Sequence, residues 1–238
     1  DTILKSNKKC YLSNSRSILW RTKYISMQIK TISPIGEQVL SGGHAIILGV
    51  SLYNSYFKDE NLQKLIMWAS GYSTKIYIMI PDTPSIHTRV ACGKTPAEAR
   101  RDTHAKAQNL EIRCKRIMQM LGVSAEIIRW SILENNQMYA DALANIMQLY
   151  EYNQVFRNEA RETTRQVLQD KQASVPESSI DIGVRFLLEE LSFIGYSPGI
   201  LGVEKTAYVY HRPTHILHNM IDGVYGKQFS SVGYIVAE

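Results

Sequence analysis

A serine stands where a buried strand is expected to end, in the segment Gly49-Val-Ser51-Leu-Tyr53-Asn54. A hydroxyl at that junction would lie at the rim of a sheet, where a substrate can reach it and where serine can accept an acyl group. The spacing departs from the G-x-S-x-G turn of serine hydrolases, because Tyr53 replaces the second glycine. On spacing alone, a serine that caps the next helix or closes a turn is the favoured interpretation.

A carboxylate pair lies within the apolar segment Phe186-Leu-Leu-Glu-Glu-Leu-Ser-Phe193, which is predicted to be helical. Phe186 and Glu190 are four residues apart and therefore share one face of that helix. Glu189 and Glu190 cannot both face water on such a helix, so one of them is expected to point toward the core. An inward carboxylate is either ion-paired or functional.

A helix predicted over residues 96–121 combines an apolar stripe with a basic surface. Its basic residues outnumber the acids Asp102 and Glu111, and they are Arg100, Arg101, Lys106, Arg113, Lys115 and Arg116, with His104. Positive charge along roughly 25 Å of helix suits a phosphate backbone. A solvated outer face is the alternative interpretation.

Composition excludes several classes of protein. The chain has 238 residues, 27 Lys+Arg against 22 Asp+Glu, a net charge of +5 and 45% hydrophobic residues, as in an ordinary globular domain. The three cysteines (Cys10, Cys92, Cys114) are too few for a disulfide scaffold or a four-cysteine zinc site. No apolar run approaches the roughly 20 residues that span a bilayer, and no apolar signal-peptide segment follows the basic N-terminus. We therefore expect a soluble, cytoplasmic protein, whose small positive charge permits a nucleic-acid partner without requiring one.

Signatures of nucleotide and metal binding are missing. Neither G-x-x-x-x-G-K-[ST] nor G-x-G-x-x-G occurs, so ATP hydrolysis and dinucleotide chemistry lose their usual support. His211 and His215 have the spacing of a helical metal pair, but Pro213 lies between them and no glutamate adjoins His211. We expect no cofactor and no metal site.

Strands and helices alternate along the chain after a basic lead-in over residues 1–35, which has no acid after Asp1. The predicted strands cover residues 44–50, 75–80, 125–130, 206–210 and 232–236. The predicted helices cover residues 60–70, 96–121, 136–151, 153–172, 180–194 and 214–221. This alternation predicts one α/β domain over residues 36–238, with a mostly parallel sheet flanked by helices. Function in such sheets gathers at the carboxyl ends of strands, here at Ser51 and at Tyr210-His211.

Together these residues resemble the tRNA-dependent cyclodipeptide synthases. The resemblance covers about residues 40–238 and keeps one order of motifs: Gly49 to Phe57, Trp68, Pro81-Asp82-Thr83, Thr95 to Arg101, Glu190 followed by Ser197-Pro198-Gly199, and Tyr210-His211. It is closest to the branch of the family that is marked by Asn, Tyr and His, here Asn54, Tyr210 and His211.

The resemblance implies a Rossmann-like fold similar to the catalytic domain of the class I tyrosyl- and tryptophanyl-tRNA synthetases. It also implies that two aminoacyl-tRNAs are consumed without ATP and that a 2,5-diketopiperazine is released. Ser51 would take the first aminoacyl group, and the second aminoacyl-tRNA would extend it to a dipeptidyl-enzyme that cyclises off the serine.

The same resemblance implies roles for individual residues. Glu190 would hold the α-amino group, Tyr210 would relay protons during cyclisation, and Asn54 and His211 would support the site. The six Arg and Lys residues of the basic helix would hold tRNA. The first aminoacyl pocket would be formed by apolar or small residues, which fit a hydrophobic or aromatic amino acid: Ile47, Gly49, Met79, Ile132 and Phe193.

The sequence departs from the family at Phe186, where the family has a tyrosine whose hydroxyl contacts the substrate's amino group. Phenylalanine keeps the ring and removes the hydroxyl. One hydrogen bond to a charged group contributes about 1.5–3 kcal/mol, so we expect impaired but not absent positioning of the amine.

Two other functions stay open at this point. One is a serine hydrolase or esterase with Ser51 as nucleophile and His211 or His215 as base. The other is a synthetase-like domain that binds tRNA with an inert serine. A true aminoacyl-tRNA synthetase is disfavoured, because both ATP-binding signatures of class I are missing and the chain is too short for an anticodon-binding domain.

Overall fold

A computed structural model describes residues 27–226 and 229–238 of the protein. Its strands are β1 (Ile29–Ile32), β2 (Ala45–Gly49), β3 (Ile76–Ile80), β4 (Glu126–Arg129), β5 (Thr206–Tyr210) and β6 (Val232–Ala237). Its helices are α1 (Pro34–Gly42), α2 (Asp59–Ser70), α3 (Asp82–Ala91), α4 (Pro96–Leu121), α5 (Trp130–Leu133), α6 (Gln137–Tyr152), α7 (Gln154–Gln169), α8 (Glu177–Leu201) and α9 (His215–Ile221). None of these helices is long and apolar enough to cross a bilayer.

The six strands form one sheet in the order β1-β6-β5-β2-β3-β4. All neighbours are parallel except β1, which runs antiparallel to β6. The predicted α/β fold with a mostly parallel sheet is therefore confirmed. From β2 the chain moves outward through β3 and β4, and it then returns to the other side of β2 with β5 and β6. The strand order thus reverses between β2 and β5, where sheets of this type bind their ligands.

Strand β2 is buried on both faces, which explains its unbroken apolar run. Ile46 and Leu48 face one apolar cluster, which includes residues of α2 and α4. Ile47 faces a second cluster, in which residues of α6, α7 and α8 surround Met79 and Tyr208. The sheet is therefore covered by helices on both faces, and α8 lies on the face that carries Tyr208.

Ordered structure begins earlier than the sequence predicts. Strand β1 and helix α1 precede His44, and β1 lies within the predicted lead-in; residues 1–26 of that segment lie outside the described residues. Strand β1 was missed because most of its side chains are exposed, so it has no hydrophobic pattern. Ser33 caps α1 by accepting a hydrogen bond from the Gly36 N–H at 3.1 Å, and it also accepts one from the Tyr234 N–H of β6 at 3.0 Å. The short helices α3 and α5 were also missed.

Helix α8 continues to Leu201, although Pro198 lies inside it and the predicted helix ends at residue 194. Proline has no N–H, so the carbonyl of Ile194 loses its usual helical donor. The Ser197 hydroxyl donates to that carbonyl at 2.8 Å and compensates for the loss. The helix ends at Gly202, whose φ of 63° is a left-handed conformation that glycine adopts without strain.

Gly233 of β6 allows the backbone of α1 to approach closely, because a Cβ atom at residue 233 would lie 2.3 Å from the Gly36 nitrogen. We expect Gly233→Ala to lower the free energy of unfolding by about 1–3 kcal/mol, since backbone must move to admit the methyl group. Urea denaturation measures the change.

Gly199→Ala is the matched control. Gly199 is exposed on α8, and its Cβ atom would meet only the flexible end of the Met138 side chain. We expect no loss of stability there, because alanine is favoured over glycine in helices by about 1 kcal/mol. Equal losses in both variants would contradict the close approach as the cause.

Candidate active site

A cavity of about 840 Å³ opens at the carboxyl ends of β2 and β5, where the strand order reverses. Five of the six predicted catalytic residues line it: Ser51, Asn54, Phe186, Glu190 and Tyr210. The sixth, His211, directly follows Tyr210 and contacts Asn54. The fold thus brings together residues that are up to 160 positions apart in the chain.

Ser51 lies two residues beyond the end of β2, in an irregular loop, and its side chain is partly exposed to the cavity. Among the described residues, none hydrogen-bonds its hydroxyl. No histidine or carboxylate therefore forms a nucleophile–base pair with Ser51 in this part of the chain. A mechanism based on this serine needs a proton acceptor from the substrate.

Asn54 connects the loop after β2 to the end of β5. Its Oδ1 accepts from the Tyr56 N–H at 2.9 Å, which turns Nδ2 toward His211 Nε2 at 3.3 Å. An amide nitrogen only donates, so Nε2 accepts and the imidazole is neutral. Burial, together with Arg212, lowers the pKa of His211 to about 4. The ring also stacks on Tyr56 at 4.1 Å, and His211 is therefore a neutral support for Asn54.

Tyr210 lies beside both Asn54 and Glu190. Burial and the nearby Glu190 raise the pKa of Tyr210 to about 12, while Arg212 and a hydrogen bond with the Asn54 side chain act in the opposite direction. The phenol is therefore protonated at neutral pH and can donate a hydrogen bond into the cavity.

The two adjacent glutamates of α8 have different environments. Glu189 is buried and pairs with His87 Nε2 at 3.0 Å. Glu190 lines the cavity, and its Oε1 accepts a hydrogen bond from the Tyr208 hydroxyl at 2.9 Å. Burial raises the pKa of Glu190 to about 7, and the Tyr208 hydrogen bond limits the rise. Glu189 is thus the carboxylate that hydrogen-bonds a histidine, and Glu190 is the one that faces the cavity.

A model of the cyclodipeptide synthase family matches residues 27–237 of this chain. The chain belongs to the cyclodipeptide synthase family. It is 25% identical over 181 residues to a cyclo(L-leucyl-L-phenylalanyl) synthase of Streptomyces noursei, and the matched region covers 74% of this chain and 75% of the relative. It is 23% identical over 214 residues to a cyclo(L-leucyl-L-leucyl) synthase of Staphylococcus haemolyticus, covering 84% and 89% of the two chains.

Solved structures show the same fold. A cyclodipeptide synthase from Bacillus thermoamylovorans superposes with a TM-score of 0.83 at 19% identity, over 92% of this chain and 98% of that one. A tyrosyl-tRNA synthetase from Archaeoglobus fulgidus superposes with a TM-score of 0.58 at 14% identity, over 92% of this chain and 63% of that one. The predicted similarity to class I synthetases is confirmed at the level of the fold.

The residues predicted to form the first aminoacyl pocket do not line the cavity together. Ile47, Met79 and Phe193 are fully buried in the apolar cluster that also contains Tyr208. Ile132 is 63% exposed, so the structure does not support its place in the pocket. It lies on the short helix α5, whose flanking Trp130 and Leu133 face the core and leave Ile132 toward solvent.

The predicted tRNA-binding residues of α4 fall into two groups. Toward the end of the helix, Arg113 and Arg116 both pair with Asp59 of α2, and Arg113 does so at 2.6 Å. The Arg113 hydrogen bond holds the pKa of Asp59 below its usual range. Lys115 pairs with Glu111 at 2.6 Å. The two pairs with Asp59 join α4 to α2, and all three pairs reduce the unpaired positive charge of this end.

The first half of α4 keeps its charge exposed and lies close to the cavity. Arg100, Arg101 and Lys106 are exposed, and the Lys106 ammonium lies 5.4 Å from the centroid of the Tyr53 ring. Tyr53 lines the cavity, and Arg89 of α3 lies 4.8 Å from the same ring centroid. The sequence did not single out Arg89, because its position beside Tyr53 depends on how α3 packs.

Sequence reasoning also missed Tyr208 and the wall that α7 provides through residues such as Glu159 and Thr163. A signal for Tyr208 was present, because residues two apart on a strand share one face and Tyr210 was already a candidate. No comparable signal exists for α7, whose polar face reads as an ordinary solvated surface.

Replacing Glu190 by glutamine removes a group whose ionisation the fold disfavours. The pKa of Glu190 rises from an ordinary 4.5 to about 7, so between these values the folded state binds more protons than the unfolded state. We expect the free energy of unfolding of the parent to fall, relative to Glu190→Gln, by roughly 3 kcal/mol as the pH rises through this range. Urea denaturation at a series of pH values measures the difference.

Comparison with the variant is necessary because burial also lowers the pKa of His211 and of His218. These two histidines make the free energy of unfolding rise with pH, opposite to the effect of Glu190. That contribution is common to both proteins and cancels. Glu134→Gln, at an exposed position, serves as the control and is expected to follow the parent. A difference between parent and Glu190→Gln that does not change with pH would contradict the shifted ionisation.

Proposed function

We propose that the protein is a tRNA-dependent aminoacyltransferase that makes a cyclic dipeptide without ATP, through aminoacyl and dipeptidyl esters of Ser51. The observation that carries the proposal is the convergence of Ser51, Glu190 and Tyr210 on one cavity at the carboxyl ends of β2 and β5. Membership of the cyclodipeptide synthase family supports it.

In the first step, the Ser51 oxygen attacks the ester carbonyl of an aminoacyl-tRNA. The C–Oγ bond forms, the bond to the ribose oxygen breaks, and the serine proton passes to the departing ribose hydroxyl. An aminoacyl ester is already activated, so no nucleotide is consumed. Because no described residue acts as a base beside Ser51, the substrate's own ribose oxygen takes the proton.

In the second step, the α-amine of the seryl ester attacks the carbonyl of a second aminoacyl-tRNA. The C–N bond forms, the bond to that tRNA's ribose oxygen breaks, and the proton that the nitrogen loses on acylation passes to the departing ribose oxygen. Glu190 holds this group as an ammonium and accepts a proton to free the attacking lone pair. A carboxylate whose pKa is about 7 is suited to both tasks at neutral pH, because both of its protonation states are accessible.

In the last step, the terminal amine of the dipeptidyl ester attacks the ester carbonyl, the C–N bond closes the ring, and the C–Oγ bond to Ser51 breaks. The serine oxygen must regain a proton as the amine loses one. Tyr210, a protonated phenol beside Asn54 and Glu190, can donate and accept in one relay.

We further propose that the first amino acid is hydrophobic or aromatic. Relatives are named for leucyl and phenylalanyl products, and Leu187, Leu191 and Ile194 of α8 line the cavity. Use of aminoacyl-tRNA as substrate would place the protein in the cytoplasm.

The esterase alternative is less well supported by the geometry. It needs a histidine base on Ser51, but His211 Nε2 accepts from Asn54 and its pKa is low. His215 of α9 lines the cavity, but among the described residues neither it nor any other side chain hydrogen-bonds Ser51. The alternative of an inert tRNA-binding domain shares the fold and the basic helix, so only an activity measurement separates it from the proposal.

The decisive experiment is incubation with charged tRNA, followed by mass spectrometry of the small molecules. We expect a cyclic dipeptide from the parent and none from Ser51→Ala, because the covalent route requires the hydroxyl. Radiolabelled aminoacyl groups are expected to remain on the acid-quenched parent and not on the variant. Ser124→Ala, an exposed serine before β4, serves as the control and is expected to act like the parent.

Two outcomes would overturn the proposal. Turnover of simple esters without tRNA, together with no cyclic product, would favour the esterase. Retention of tRNA binding with neither product nor labelled protein would favour the binding domain.

Charge reversal tests the role of α4. Arg100→Glu with Arg101→Glu is expected to weaken tRNA use and to reduce the slope of log affinity against log salt by about 0.7–0.9 for each lost phosphate contact. Reversal of Arg113 and Arg116 is expected to weaken tRNA use and, in addition, to lower stability, because their ion pairs with Asp59 are lost. Filter binding at several salt concentrations and thermal denaturation separate the two effects.

The control variant has the same change in net charge, placed at the edge of the sheet opposite the cavity. Lys75→Glu with Lys205→Glu places the new acids just before β3 and β5, at their amino ends. We expect an unchanged salt slope. An equal fall in both double variants would mean that net charge, and not α4, governs the interaction.

A further inference from the structure

A second tyrosine of β5 contacts the carboxylate that is proposed to bind the amine. The Tyr208 side chain is 5% exposed, and its hydroxyl donates to Glu190 Oε1 at 2.9 Å. No described residue hydrogen-bonds Oε2 of Glu190. One oxygen of the carboxylate is thus held from the sheet, and the other is left for a ligand in the cavity.

Gly49 makes this contact possible. A Cβ atom at residue 49 would lie 2.1 Å from the Tyr208 hydroxyl oxygen and 2.3 Å from the ring carbon that carries it. Tyr208 is paired with Ile47 across the sheet, so its ring leans along β5 and passes directly over Gly49. Any side chain at residue 49 would force the hydroxyl away from Glu190.

The helix that carries Glu190 offers no hydroxyl at Phe186, one turn earlier. Phe186 lies one helical turn before Glu190 on α8, and both side chains line the cavity. Its ring can pack against a substrate but cannot hydrogen-bond an ammonium or a carboxylate. Tyr208 therefore brings from β5 the hydroxyl that α8 does not provide.

We infer that Tyr208 is a positioning residue of the amine site, which orients the Glu190 carboxylate across Gly49. The inference rests on the proposed function, in which Glu190 holds the substrate's α-ammonium. A buried carboxylate with one oxygen held by a neutral donor keeps a single orientation without a competing positive charge.

The surroundings allow Tyr208 to act as a donor throughout the working pH range. Burial and the neighbouring Glu190 raise the pKa of Tyr208 well above its usual value, so the phenol stays protonated. Tyr210 is the other titratable group that acts on Tyr208 and on Glu190 from the sheet. The remaining charged or titratable groups that line the cavity are Tyr53, Glu159, Glu162, Asp170, Lys171, Arg212 and His215.

Tyr208→Phe tests the inference. We expect kcat/KM for cyclic dipeptide formation to fall about ten- to hundredfold, because one hydrogen bond to the charged group that positions the amine is lost. We also expect the acid limb of the pH profile to move to higher pH, because the Tyr208 hydrogen bond lowers the pKa of Glu190. Carboxyl NMR of Glu190 in parent and variant measures that pKa without any turnover.

Tyr139→Phe is the matched structural control. It removes a buried tyrosine hydroxyl that accepts from the Trp130 indole at 2.8 Å, outside the cavity. We expect a loss of stability with no change in the acid limb and no change in the pKa of Glu190. A purely structural role for Tyr208 would make the two variants behave alike.

Separate results would disprove the proposed function and the inference about Tyr208. If the parent makes no cyclic dipeptide, the proposed function is wrong, and the NMR pKa still shows whether Tyr208 controls Glu190. If the parent makes the product while Tyr208→Phe keeps the parent's rate, pH profile and Glu190 pKa, the inference is wrong and the proposed function stands.

Discussion

Strands β2 and β5 are neighbours and run parallel, so the residues that follow them meet at one edge of the sheet. This pairing brings Ser51, Asn54 and Tyr210 together, although more than 150 residues separate the first from the last. It also leaves a crevice, because the chain continues outward from β2 on one side and from β5 on the other. Helix α8 then covers the crevice and contributes Glu190. Every proposed catalytic step depends on this one juxtaposition.

Burial of the individual side chains explains the ionisation of the site. Removal from water favours the neutral forms of Glu190, Tyr210 and His211, and it moves the pKa of each in that direction. Specific partners then set how each group points, as Asn54 does for His211 and Tyr208 does for Glu190. The site therefore holds a carboxyl group whose pKa is near neutrality. Such a site suits an ester substrate that arrives activated and brings its own leaving hydroxyl.

The sequence predicted secondary structure best where a residue type or an apolar run has one common structural role. Apolar runs predicted strands β2 and β3, and Thr95 with Pro96 predicted the start of α4, where Thr95 and Glu98 form a capping box. It predicted secondary structure least well where backbone hydrogen bonds alone hold a strand in the sheet. Strand β1 has mostly exposed side chains and is held by its pairing with β6, so no pattern of side chains marks it.

Charge patterning on α4 shows the same division between sequence and structure. The run of basic residues is visible in the sequence, and the helix that carries it was predicted within a residue. The sequence could not show that Arg113 and Arg116 meet Asp59, because that contact depends on how α2 packs against α4. Only the packed structure separates charges that are paired with an acid of a neighbouring helix from those that are not.

By itself, the sequence determined the alternation of strands and helices, the family, and the candidates Ser51, Glu190 and Tyr210, because periodicity and motif order are local properties of the chain. Tertiary structure alone decided which glutamate of the adjacent pair contacts His87, where Ile132 points, and that the Tyr208 hydroxyl reaches Glu190 over Gly49. Each of these depends on the approach of side chains from elements far apart in sequence. The distances between these side chains are set by packing, and no local sequence pattern predicts them.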